Sequence, residues 1–443
     1  MVEASQDIQS YLPKKDEIAN RIFDEYQKKG ESKKKRRYLG ASAIGEECER
    51  RLWFSFRHAS EAKFPGRIFR LFETGDLEEI RMVKDLRSID CEVHEVGTDG
   101  KQFEVTALGG HFSGHMDGCA KGIPGAEKTW HVLEFKTHND KSYKHLVKHG
   151  VKRSKPKHFA QIQIYMHLTG MKRALYLATN KNDNNLYPER IEYNEAYCFE
   201  LLEKAKRIIF SPHPPTRITD RPDYYGCKFC EAKELCHGGD CSVLPIKSLS
   251  CRQCCHATPR DDGLARWTCD KHNRGLSPED QDLACNDHLI LPGMISFAQP
   301  CGTGKDTNGD DYIVFSNYND DAIWYAGSFW RSFTSKELTS IKKGDLTNEV
   351  ILAAKGCMGD IDVQVVDDVL TRYPESNTRV MWSGHRTEAF EEWEKRYSED
   401  VQKLEPVAFS SIENDRDVAE FSGGRLLVFI TSGYGAEIRE GIE

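Results

Sequence analysis

The sequence predicts an α/β fold with a mixed central sheet for the first half of the chain. Two observations predict it: short runs of period two are framed by segments of helical period, and the elements follow the order helix, strands, helix, strand pair, helix. A third marks the limit of the fold. Pro-rich SPHPPTRITDRPDYYG ends this pattern, and beyond it clustered Cys and His replace apolar periodicity.

Residues 1–37 read as a basic helical lead, with Ile18, Ile22 and Tyr26 at helical spacing before the block Lys33, Lys34, Lys35, Arg36 and Arg37. YLGASAIGEECERRLWFSFRH follows as a helix with Ser42 as a candidate cap and Leu52, Trp53 and Phe56 as apolar surface. A second helix is expected over Phe69–Leu86. The stretches CEVHEVGTDGKQFEVTALGGHFSGHMDGCAKG and TWHVLEFKTH alternate and are broken by Gly and Asp, which predicts strands and hairpins. HFAQIQIYMHLTG is helical, RALYLATNKNDNNLYPERIEY is two strands about a polar turn, and NEAYCFELLEKAKRIIF is helical again. The expected domains are 38–240 for this α/β core, 241–290 for a Cys/His module, and 291–443 for an acidic α+β domain. The last holds the strand-like runs DYIVFSNY, AIWYAGSFW and RLLVFIT and the helix TEAFEEWEKRYSEDVQKL.

A chain of 443 residues exceeds what one core usually organises. No apolar run is long enough for a membrane helix, and the N-terminus lacks the order of a signal peptide, so a cytoplasmic address is expected. Fifteen cysteines then favour metal binding over disulfides. The net charge of -8 is uneven: 27 Asp and Glu face 15 Lys and Arg from position 300 onward, while the first 299 positions hold 47 basic and 43 acidic residues. Lys141, Lys144, Lys148, Lys152, Arg153, Lys155 and Lys157 form a second basic block, able to neutralise phosphates.

Asp117 stands in GHMDG at a strand end, and Glu134 and Lys136 follow in HVLEFKT. Strand alternation puts Glu134 and Lys136 on one face. Two carboxylates converging across neighbouring strands make an oxygen-rich site suited to Mg²⁺ or Mn²⁺, and a nearby lysine orients a nucleophile or offsets developing charge. Such a set serves phosphodiester cleavage.

With these residues the chain resembles the PD-(D/E)XK nuclease superfamily, specifically its RecB-like branch, over about Tyr38 to His237. The resemblance implies a restriction-endonuclease-like core, with Glu79 of GDLEE as a third metal ligand beside Asp117, Glu134 and the Phe135 carbonyl. It also makes Gln161 and Tyr165 of QIQIY residues that contact DNA or support the active centre. Cys48 before the core, with Cys227, Cys230 and Cys236 after it, is similar to the iron-sulfur nucleases of the AddB type and the CRISPR-associated exonucleases. The resemblance implies a 4Fe-4S cluster there; four thiolates equally suit zinc. It further implies a DNA exonuclease of a phage or mobile element, acting in recombination, repair or replication in the host cytoplasm. The alternatives are an endonuclease with the same site and an inactive DNA-binding scaffold.

Cys251, Cys254, Cys269 and Cys285 have zinc-binding spacing, with His272 or His288 as alternative ligands. CGTGKDTNGD lacks the spacing of a phosphate loop, since Asp306 stands where a hydroxyl is needed. His111, His115 and His131 are read as ordinary strand residues. The acidic domain is expected to face a protein partner of recombination or replication, or a single-strand-binding protein.

Overall fold

A computed structural model describes residues 15–33, 35–238, 244–246, 248–329, 331–347 and 352, and beyond them the strands of one sheet. The chain divides into two compact units, one of residues 1–56, 61–211 and 259–266, the other of 57–60, 212–258 and 267–443. None of the described helices is long and apolar enough to cross a membrane.

The first unit opens with α1 (Lys15–Glu31), a short strand β1 (Leu39–Gly40), α2 (Glu49–Phe56) and α3 (Gly66–Ser88). Ser42 does not cap α2, as the sequence suggested; it sits in a 3-10 turn, Ala41–Ala43. The reason is non-local: Leu39 and Gly40 pair with Phe112 and Ser113 in a second sheet, so the chain is already committed to a strand there. Gly45 then passes so close to the next layer that a Cβ would stand 2.6 Å from Lys157 Cα.

Strands β2 (Glu92–His94), β3 (Glu104–Ala107), β4 (Phe112–His115), β5 (Gly118–Lys121) and β6 (His131–His138) follow, then α4 (Asp140–Ser154), α5 (Pro156–Thr169), β7 (Arg173–Asn180), β8 (Leu186–Glu192) and α6 (Glu195–Phe210). The main sheet has the order β2-β5-β6-β7-β8, and β1, β4 and β3 form a small one. Only β6 and β7 run parallel in the main sheet, so a crossover must join them, and α4 and α5 are that crossover. The mixed central sheet read from the sequence is therefore present.

Alternation along β6 divides its side chains. Leu133 and Phe135 join Met82, Val83 and Leu86 of α3 and Leu175 and Leu177 of β7 in one apolar core. Glu134 and Lys136 point the other way. α5 is buried from Phe159 to Met166, which explains why it carries apolar residues all round. Asn139 and Asn194 cap α4 and α6 by accepting from Ser142 N and Tyr197 N.

The second unit contains short helices α7 (Tyr225–Lys228), α8 (Lys233–His237) and α9 (Pro278–Gln281) and strands β9 (Ala257–Pro259), β10 (Trp267–Cys269) and β11 (Arg274–Leu276), the three strands forming one sheet. A four-stranded sheet follows, β12 (Ala298–Lys305), β13 (Asp311–Asn317), β14 (Ile323–Ala326) and β15 (Ser332–Phe333), with Phe315 stacked on Trp324 at 4.5 Å in its core. Six more strands between Asp362 and Glu440 make the last sheet. The helix expected at TEAFEEWEKRYSEDVQKL lies outside the described residues.

Candidate active site

Asp117 occupies the link between β4 and β5, and the pairing of Gly118 with Leu133 sets it opposite Glu134. Phe135 N donates to Asp117 Oδ2 at 2.7 Å. Glu134 is fully buried. The Lys136 ammonium lies against Glu134 Oε1, donates to the Phe135 carbonyl at 2.9 Å, and stands 4.0 Å from Asp117 Oδ2. One cation thus binds two of the oxygens that the sequence assigned to a metal and lies at ion-pair distance from a third.

Glu79, on α3, belongs to the same electrostatic group, interacting with Asp117 and Lys136. Its neighbour Glu78 accepts from Thr179 Oγ1 at 2.9 Å, which anchors this turn of the helix to β7. Burial, and then Asp117, push the Glu79 carboxyl up to about 7. Burial raises Glu134 to about 8 against the pull of Lys136, and raises Asp117 as well. Three carboxylates that resist ionising share one ammonium.

The donors are of a kind that suits a divalent ion, although the three carboxylates are not all drawn within 4.8 Å of one another. Glu134 Oε2 is buried without a hydrogen-bond partner among the described residues, an expensive condition for a carboxylate oxygen. With all three acids ionised, Lys136 leaves two negative charges uncompensated, and the oxygens are hard donors of the kind that Mg²⁺ and Mn²⁺ prefer.

Gln161 and Tyr165 share one face of α5, as their spacing implied. Gln161 Nε2 donates to Tyr165 Oη at 3.1 Å, and Tyr165 Oη donates to the His115 carbonyl at 2.7 Å. Gly114 leaves room for that ring, since a Cβ there would meet it at 2.7 Å. Both residues line a hollow with Arg36, Tyr38, Ser42 and His115.

Sequence reasoning missed a polar chain beside the carboxylates. Tyr176 on β7 is the register partner of Glu134. Its hydroxyl lies 2.9 Å from His138 Nε2 and 3.0 Å from His158 Nδ1. A single hydroxyl proton serves only one ring nitrogen, so the other imidazole donates. Burial holds His138 down to about 4 and His158 to about 3, so both stay neutral. Lys155 reaches the same group by donating to Ser142 Oγ at 2.7 Å, with Ser142 Oγ 3.3 Å from His138 Nδ1. His138 could have been found by extending the alternation of Glu134 and Lys136 by one more step.

The basic block divides in two. Lys141, Lys148, Lys152 and Arg153 are exposed on α4, as is Lys144, which pairs with Asp140 at 2.8 Å. Lys157 pairs with Glu46, and Lys155 turns inward. His111 and His131 each bind the main chain through one ring nitrogen: His111 Nε2 donates to the carbonyls of Arg260 and Arg266 at 3.1 and 3.2 Å, and His131 Nδ1 donates to that of Thr129 at 2.9 Å, while His131 Nε2 is buried with no hydrogen-bond partner among the described residues.

Cys48 belongs to the first unit, just before α2. In the second, Cys227 is buried and Cys230 and Cys236 are half-buried on or beside α7 and α8. Cys251 neighbours Cys269 and Cys285, and burial followed by those two thiols pushes it up to about 11. Burial pushes Cys254 up to about 12, with the adjacent Cys255 and then Cys251 adding to it. His288 is buried, and its Nε2 donates to the Ser250 carbonyl at 2.9 Å.

No known family matches the sequence, and no curated protein does. Among solved structures, the chain is similar to the crystal structure of SSO0001, with a TM-score of 0.31 and 15% identity over 49% of this chain and 96% of that one. It is similar to LHK-Exo in complex with dAMP, at TM-score 0.29 and 15% identity over 42% and 89%. A third is an alkaline exonuclease, LHK-Exo, from Laribacter hongkongensis, at 0.28 and 16% over 42% and 90%.

Proposed function

We propose that the chain is a metal-dependent DNA nuclease, acting as an exonuclease on phosphodiester bonds. The observation that carries this reading is the buried, unpartnered Glu134 Oε2 within a group of three carboxylates and one lysine. In this reading Glu79, Asp117, Glu134 and the Phe135 carbonyl hold Mg²⁺ or Mn²⁺, which when bound acidifies a water and polarises the phosphodiester. Lys136 gives up part of its hold on Glu134, orients the nucleophile through its N–H groups and offsets charge on the phosphate. The Phe135 N–H keeps the Asp117 carboxylate aimed across the strands. Gln161 and Tyr165 hold the His115 carbonyl and the adjoining wall in place. The exposed cations of α4, Lys141, Lys148, Lys152 and Arg153, follow directly on the strand that bears Glu134, and guide the DNA backbone.

The remaining assignments belong to the same proposal. Cys48, Cys227, Cys230 and Cys236 bind an iron-sulfur cluster, with zinc as the rival ion for the same thiols. The Cys251 group binds zinc. The acidic C-terminal region faces a protein of recombination or replication, in the cytoplasm of a phage host. End-labelled linear DNA and covalently closed circular DNA, each incubated with the whole protein and Mg²⁺ or Mn²⁺, test the activity. Loss of linear DNA alone supports an exonuclease, and loss of the circle moves the reading to an endonuclease. If both substrates survive, the chain is not a nuclease on them.

A further inference from the structure

The turn between β10 and β11 and the loop after α9 bring together three side chains with three different donor chemistries. His272 lies in the turn, and Cys285 and Asp287 lie in the loop, all within the second unit. His272 Nε2 is 3.2 Å from Asp287 Oδ2 and 3.8 Å from Cys285 Sγ. One donor atom from each lies within 4.8 Å of both others, and among the described residues this is the one group of three such side chains drawn together so tightly.

The two shorter separations lie near those between neighbouring ligands of one metal ion. Tetrahedral zinc with bonds of about 2.0–2.1 Å to nitrogen, about 2.0–2.2 Å to oxygen and about 2.3 Å to sulfur spaces its donors roughly 3.3–3.6 Å apart. A His–Asp ion pair accounts for the first contact but gives no reason for a thiol, a weak hydrogen-bond partner, to approach the same ring nitrogen. The surroundings need a fastener. β10 and β11 have three residues each and α9 has four, too little to hold a turn and a loop in register by apolar burial.

We propose that His272 Nε2, Cys285 Sγ and an Asp287 carboxylate oxygen bind one Zn²⁺ in a surface site with three protein ligands and a fourth position open to solvent. The inference rests on the reading of residues 241–290 as a zinc-binding module, but it takes Cys285 out of the four-cysteine set, although Cys251 stands near it, and adds Asp287. An open position distinguishes such a site from closed four-cysteine zinc. His272 and Cys285 are exposed, so the ion exchanges with chelators in the folded protein.

Cobalt substitution of the whole protein tests this, because sulfur-to-cobalt charge-transfer absorption reports the thiolates bound. Spectra of Asp287→Asn, His272→Gln, Cys285→Ser and Cys254→Ser are subtracted from wild type, so that other thiol sites cancel. Circular dichroism confirms that each variant is folded. Expected is a one-thiolate difference band for Cys285→Ser. The same Co²⁺ titration should weaken at least about tenfold in Asp287→Asn and His272→Gln, the scale of loss set by a metal site's supporting groups. Cys254→Ser should leave the Cys285 band in place. Unchanged titration in Asp287→Asn and His272→Gln, with loss in Cys254→Ser, overturns the mixed site while the all-cysteine zinc reading stands. No difference band for any variant overturns both.

Discussion

The main-chain N–H of Phe135 donates a 2.7 Å hydrogen bond to Asp117 Oδ2, and this bond ties the link between β4 and β5 to the strand that bears Glu134 and Lys136. An amide oxygen accepts that N–H as well as a carboxylate does, so Asp117→Asn keeps the fold while removing a charged metal donor. The expected result is a melting temperature close to wild type with Mn²⁺ affinity, read by calorimetric titration, at least about tenfold weaker. Equal Mn²⁺ affinity in the variant would remove Asp117 from the metal site.

The buried groups set opposite slopes of stability against pH. Glu134, pushed up to about 8, and Glu79, up to about 7, keep protons in the folded metal-free protein that the unfolded chain releases near the usual 4.5. Stability from these two therefore falls as pH rises through that window. His138 and His158, held down to about 4 and about 3, do the reverse: the unfolded chain takes up their protons below 6.5, so acidification destabilises. Above pH 6.5 the two carboxylates outweigh the histidine protons that the unfolded chain still holds. Metal-free protein should lose on the order of 2 kcal/mol between about pH 6.5 and 8, and Mn²⁺ should abolish the loss. Thermal melts in EDTA that are flat over this range would show that the acids are already ionised.

Tyr165 is 1% exposed and donates to a buried wall of the site. Tyr165→Phe leaves the His115 carbonyl without that donor and removes the acceptor of Gln161. The variant should be less stable by about 1–3 kcal/mol in urea melts. A change within error would mean that another donor reaches the carbonyl.

Lys141 and Lys148 are exposed, whereas Lys144 and Lys157 are held by Asp140 and Glu46. Lys141→Ala and Lys148→Ala should each reduce the slope of log binding constant against log salt by about 0.9 on duplex DNA or about 0.7 on single strands. Lys144→Ala and Lys157→Ala should change it less. Identical slopes in all four variants would return α4 to an ordinary solvated surface.

The parts of this site that lie along one strand or one helix could be read from sequence. Alternation placed Glu134 and Lys136 together, and the four-residue spacing placed Gln161 and Tyr165 on one face of α5. What escaped depends on pairing between distant segments. Tyr176 meets Glu134 only because β6 and β7 run parallel across a two-helix crossover, which no local period encodes. Ser42 was misread because β1 pairs with β4, some seventy residues on. Asp287 escaped for a related reason: its partner His272 stands across a turn and a short helix, while the thiols drew attention by their spacing.

Single-turnover cleavage of end-labelled linear DNA in Mn²⁺ tests the central claim most directly. Wild type should cleave, Lys136→Ala should be slower by roughly 10²–10³-fold with DNA binding retained, and Asp117→Ala should show no cleavage above background. Cleavage at the wild-type rate by either variant, or none by the wild type, would contradict the assignment of this site.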